Sequence, residues 1–145
     1  MGMIDSQLVF AEAQAATAEG DTASTNVLDM GSAANGPAGL TQENLWVQAI
    51  CSTATTSGGS ATVQAVLQDS ADNATFADVA AGPVYANPVA AGTRILAIQP
   101  PPAMRRYWRI AWRIGTAVLT AGKFDAFVSN TLQQNVAEPS GFSVA

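Results

Sequence analysis

The chain has 145 residues, a formal net charge of -5, one cysteine and no histidine. That length suits one domain with a core of its own. The missing histidine excludes Ser-His-Asp and Cys-His catalysis and imidazole metal sites, and the single cysteine excludes an internal disulfide and a thiolate zinc site.

In chain order, "QLVF" at 7–10 reads as a short strand. "AEAQAATAEG" after it reads as a loop or extended arm, because no large apolar residue is there to hold a helix down. A short strand is expected at 25–30 in "TASTNVLDMG", ended by Gly31 and the turn-rich "NGPAG" of 35–39. "ENLWVQAICST" gives a strand at about 44–51, with Leu45, Val47, Ala49 and Cys51 on one face and Trp46, Gln48 and Ile50 on the other. Cys51 reads as a buried small hydrophobe. "ATVQAVLQDS" alternates likewise, Val63, Ala65 and Leu67 opposing Gln64, Val66 and Gln68. The two strands look like a hairpin. Residues 69–92 read as a long connection with one short strand near 83–86. "TRILAIQ" is a clear strand, and "PPPAM" must be a stiff loop because proline cannot donate to a sheet. "GTAVLTAG" reads as a turn or short strand. "KFDAFVSNTL" is the last clear strand, with Phe124, Ala126 and Val128 opposing Asp125, Phe127 and Ser129.

The sum is about seven or eight short strands with Gly, Pro and Asn turns and no convincing helix. That pattern predicts an all-β antiparallel sandwich or barrel. Ala supplies much of the apolar content, so the core should be thin. No run approaches the ~18 apolar residues of a membrane span. The N-terminal segment has Asp5 and no positive n-region, so no signal peptide is expected and a cytoplasm is the default location.

The stretch "PPAMRRYWRIAWRI" at 101–114 stands apart, with four of the six basic residues and two of the three tryptophans. As a strand it separates cleanly. Trp108, Ile110, Trp112 and Ile114 share a core face with Arg106, while Tyr107, Arg109, Ala111 and Arg113 share the other. Both indoles then need a hydrogen-bond acceptor or a place at the core's rim. Charge is segregated too: residues 1–93 hold nine acids and no base, and 94–123 hold all six bases and no acid. Two readings follow. The chain's own acids fold back onto its arginines, or Arg105, Arg106, Tyr107, Arg109 and Arg113 meet a partner's carboxylates. Trp46 is a further candidate, as an apolar contact. Nucleic acid is not an expected partner, since net charge is negative and both tryptophans fall on the core face.

Motifs for chemistry are missing. Neither GxGxxG nor GxxxxGK[ST] occurs, and "GSAANGPAG" has neither the spacing nor the lysine of a phosphate loop. Asp69, Asp72 and Asp78 lie near one another in "DSADNATFAD" but lack the glycine and glutamate of an EF-hand loop. No enzyme activity, metal or cofactor is expected.

Several stretches together resemble the small capsid cement, or decoration, proteins of tailed bacteriophages: "MIDSQLVFAEAQAAT", "STNVLDMG", "LWVQAI", "ATVQAVLQDSADNATFADV", "AAGTRILAIQPPPAMRRYWRIAWRI" and "LTAGKFDAFVSNT". The resemblance implies a jelly-roll β-sandwich over 1–131, including an N-terminal arm, followed by an extended tail at 132–145. It further implies a structural virion protein on the outer surface of the head. Such a protein binds the major capsid protein, associates with itself as a dimer or trimer, and touches neither nucleic acid nor membrane. The acidic first part of the chain suits the outside of a head better than its DNA-filled interior. Alternatives are a tail or head-fibre sandwich, and a carbohydrate-binding module using Trp46, Trp108 or Trp112 as a stacking platform.

Overall fold

The computed structural model describes residues 8–31, 45–101 and 104–130. The expected loop at 35–39 and tail at 132–145 lie outside them, as do residues 1–7, 102 and 103. Ten strands are described: β1 (Val9–Ala15), β2 (Gly20–Ala23), β3 (Leu28–Asp29), β4 (Trp46–Thr56), β5 (Thr62–Ser70), β6 (Ala77–Ala81), β7 (Tyr85–Ala86), β8 (Arg94–Ile98), β9 (Tyr107–Gly115) and β10 (Ala121–Ser129). Five of them, β4, β5, β8, β9 and β10, lie where apolar and polar residues alternate most regularly.

The strand expected at "QLVF" is the start of β1, which runs on to Ala15 through the segment read as a loop or arm; β2 opens at that segment's last residue, Gly20. The segment's apolar pattern is weak because polar pins from elsewhere hold it. β1 pairs with β10 through two register shifts, and Ala13 sits at φ 46. The Ala13 amide donates to Asp125 Oδ1 at 2.6 Å. Gln14 Oε1 accepts from the Thr25 amide and from the Trp112 indole, both at 3.0 Å, while its Nε2 donates to the Ala23 carbonyl at 2.9 Å. The strand expected at 25–30 shrinks to β3. The 69–92 connection carries β6 as well as β7.

Two sheets form, ordered β1-β10-β4-β8 and β2-β9-β5-β6, with β3 extending the pairing of β9 and β7 that of β5. Every pairing is antiparallel. The pairs β1·β10, β2·β9, β4·β8 and β5·β6 nest within one another, and β10·β4 and β9·β5 close the two sheets. This is a ribbon of strand pairs wound across two layers, a jelly roll. The hairpin expected of β4 and β5 is corrected by this topology. The two strands lie in different sheets, and their apolar faces meet across the core instead of side by side.

The core between the layers is thin. β4 offers Val47, Ala49 and Cys51, β10 offers Phe124, Ala126 and Val128, and β5 offers Val63, Ala65 and Leu67. Alanines on these inner faces leave room for the large residues of β9. Trp108, Ile110, Trp112 and Ile114 are each no more than 1% exposed. Burying each contributes roughly 2–3 kcal/mol. Trp112 stacks on Phe124 of the opposite sheet, with ring centroids 5.0 Å apart. Both indoles find acceptors, Trp108 Nε1 at the Arg105 carbonyl (2.8 Å) and Trp112 Nε1 at Gln14.

Candidate functional site

With its apolar face committed to the core, β9 turns Tyr107, Arg109 and Arg113 outward on the six-stranded sheet, all half-buried. Strand register decides what stands beside them. Arg113 is opposite Asp21 on β2, and Arg109 is opposite Gln68 on β5, which is opposite Asp78 on β6. Cross-strand neighbours on one face lie close enough for direct contact.

The result is a continuous polar lattice. Arg113 makes a two-point pair with Asp21, both contacts 2.7 Å, and reaches Asp78 Oδ2 at 3.0 Å. Asp78 Oδ1 accepts from Gln68 Nε2 at 2.7 Å, and Gln68 Oε1 accepts from Arg109 Nε at 2.8 Å. The Arg109 guanidinium lies over the Phe76 ring, 3.9 Å from its centroid. Beneath this lattice Val66 and Ala111 are buried on the outward side of the sheet, 0% and 1% exposed. Long polar side chains cover small apolar ones there with their aliphatic stems. The hydrogen bonds from Gln68 and Arg113 hold the Asp78 carboxyl below the usual carboxylate range.

A second cluster ties the loop before β9 to the sheet. Asp69, its side chain 8% exposed, accepts from the Arg105 amide (2.8 Å), from Arg105 Nε (2.9 Å) and from Arg105 Nη2 (2.6 Å). Arg106 pairs with Asp29 at two points, both 2.7 Å, and its guanidinium sits 5.0 Å from the Tyr107 ring centroid. The Arg106 bonds and the Gly31 amide hold the Asp29 carboxyl down to about 2.

The segregation of charge along the chain is therefore resolved within the fold. Arg105, Arg106 and Arg113 each meet a carboxylate from the acidic first part of the chain. Arg109 does not; among the described residues it forms no ion pair, and burial pushes its pKa down. Arg106, placed by alternation with the core residues, stands just before β9 and points to Asp29 instead. Trp46 is half-buried at the start of β4 in the other sheet, away from the arginines. Trp108 and Trp112 are in the core, so neither offers a stacking platform.

Asp69, Asp72 and Asp78 do not converge. Asp72 Oδ1 accepts from Ser70, Ala74 and Thr75 in its own loop, while the other two serve Arg105 and the lattice. Among the described residues no group of acids, cysteines or histidines is placed to hold a metal ion. Sequence reasoning missed Asp21, Gln68 and Phe76. Gln68 was legible as an outward residue of its strand, but only the register brings it to Arg109.

A family model described as Bbp16 matches residues 10–128, most of the chain and nearly all of the described sandwich. No curated protein matches it.

Proposed function

This chain belongs to the Bbp16 family, and we propose that it is a structural virion protein, a capsid cement that binds the outer surface of a phage head. The reading rests on the resemblance of its strands to cement proteins and is supported by the jelly-roll winding. The observation that carries it is the lattice on the outer face of the six-stranded sheet. Cross-strand pairs fix Arg113, Asp21, Asp78, Gln68 and Arg109 before any partner arrives. A surface ordered in advance loses little entropy on docking. It suits a protein that repeats one contact many times over a shell, where multivalency lets weak single contacts hold firmly. In this role it bridges neighbouring major capsid proteins, associates with itself as a dimer or trimer, and needs no cofactor.

Imaging labelled protein on particles tests the location. A regular lattice over the head is the expected result. Label confined to the tail or to fibres would replace the cement reading with that of a tail or head-fibre sandwich.

A further inference from the structure

We propose that Arg109, seated on Phe76, is the receptor for a carboxylate side chain of the shell protein; the inference rests on the capsid reading above. Four arginines lie on β9 or just before it, and three of them are neutralised by Asp69, Asp29, Asp21 and Asp78. Arg109 has only neutral partners, the Gln68 side-chain oxygen at 2.8 Å and the Phe76 ring at 3.9 Å. Among the described residues its two terminal amino groups make no hydrogen bond.

The guanidinium is held ready. Gln68 fixes its Nε, Asp78 fixes Gln68 at 2.7 Å, and Arg113 fixes Asp78 at 3.0 Å. Nε is committed, so the two terminal amino groups remain as a fork, a geometry that matches the two oxygens of a carboxylate. Half-burial without a directly paired carboxylate is a cost to the free protein, and a carboxylate arriving from a partner offsets it.

The surroundings select the ligand. Asp21, Asp29 and Asp78 take up Arg113 and Arg106 on the same sheet, so among the arginines of β9 and the loop before it a polyphosphate would find no second unpaired guanidinium beside Arg109. A single carboxylate brings one negative charge to one free arginine. The half-buried Phe76 ring beside it offers apolar contact to the stem of an Asp or Glu.

The test uses the full chain and purified heads lacking it. Wild type, Arg109→Ala and Arg109→Lys are titrated onto heads, with melting curves and sedimentation velocity run on each protein alone. The expected result is weaker head binding by Arg109→Ala, about 10-fold or more, with a small drop in melting temperature from the lost Gln68 and Phe76 contacts and an unchanged oligomeric state. Arg109→Lys, which keeps the charge and loses the fork, falls between. Should Arg109→Ala not fold, Arg109→Gln keeps part of the stem over Val66 and Ala111 and decides the matter. Binding equal to wild type overturns the inference, as does a changed oligomeric state with unchanged head binding, which would place the carboxylate on a second copy. Wild type failing to bind heads overturns the capsid reading itself, a result distinct from a defect confined to the Arg109 variants.

Discussion

Asp69 is the carboxylate on which the loop before β9 depends. Its side chain is 8% exposed and takes three hydrogen bonds from Arg105, one of them from the backbone amide. Asp69→Ala leaves that amide without its acceptor and the guanidinium with only the residue-69 carbonyl, which accepts from Nη2 at 2.9 Å, and should cost about 1–3 kcal/mol in urea unfolding. The Arg113 and Arg106 pairs are different in kind. Their side chains are 37–48% exposed, so solvent screens them and each pair contributes little. Arg113→Ala should therefore lower stability slightly while leaving the fold intact. Acid should find the pairs first. Asp29 has a folded pKa of about 2, below the ~3.9 of an unfolded chain. Its contribution is complete above the unfolded value and is lost as pH falls through the folded one. Asp72, held to about 2 mainly by the Thr75 and Ala74 amides, behaves the same way. Tryptophan near-UV circular dichroism should hold at pH 4 and stability should fall between about pH 4 and pH 2. Asp29→Asn should make that fall shallower, and an unaltered acid profile would show that Asp29 gains nothing from its pairing.

At the scale of elements, two places where the sheets meet can be tested singly. Trp112 on β9 stacks on Phe124 of β10, and Trp112→Ala should cost about 3–5 kcal/mol because the thin layer has few neighbours able to close the gap. Gly82 lies between the layers, between β6 and β7. A Cβ there would stand 3.0 Å from both the Ile95 carbonyl oxygen of β8 and a Leu96 methyl, and 3.2 Å from the Ala65 carbonyl oxygen of β5. Two of the three are backbone atoms that cannot turn aside, so Gly82→Ala should lose about 1–3 kcal/mol. Gly58, with nothing within 4 Å of an added Cβ, is the matched control and should tolerate alanine. Melting curves of the two variants decide the point. The strands that bear such contacts were legible because their alternation is regular: Trp108, Ile110, Trp112 and Ile114 declare the core face of β9 unaided. β1 was legible only at its start, Val9 and Phe10; beyond them Gln14 and Asp125 hold it in place of an apolar stripe. β6 was hidden in "FADVAAG" for a related reason, since its residues are small and mostly exposed.

For the whole molecule, alternation tells which face of a strand is buried and says nothing of its neighbour. That is why β4 and β5 looked like a hairpin, although β4 pairs with β10 and β8, and β5 pairs with β9 and with β6, the strand that follows it. The nested order of pairs is a property of the complete chain, and the resemblance to cement proteins carried it where periodicity could not. The candidate site was half legible in the same way. Arg105, Arg106, Tyr107, Arg109 and Arg113 announce themselves by clustering, and both fates of those arginines could be stated from the charge segregation. Which arginine keeps a free fork depends on register, on Asp21 opposite Arg113 and neutral Gln68 opposite Arg109. The lattice they build is a rigid outer surface on a domain with a thin core. Attachment to a shell would add stability to such a domain by mass action.

The cement role is tested most directly by the number of copies bound by purified heads lacking the protein, counted by quantitative gel across a titration. A cement protein should saturate at a copy number set by the icosahedral lattice and give the heads greater resistance to heat and low salt. Binding of a few copies per particle, or none, would contradict that role.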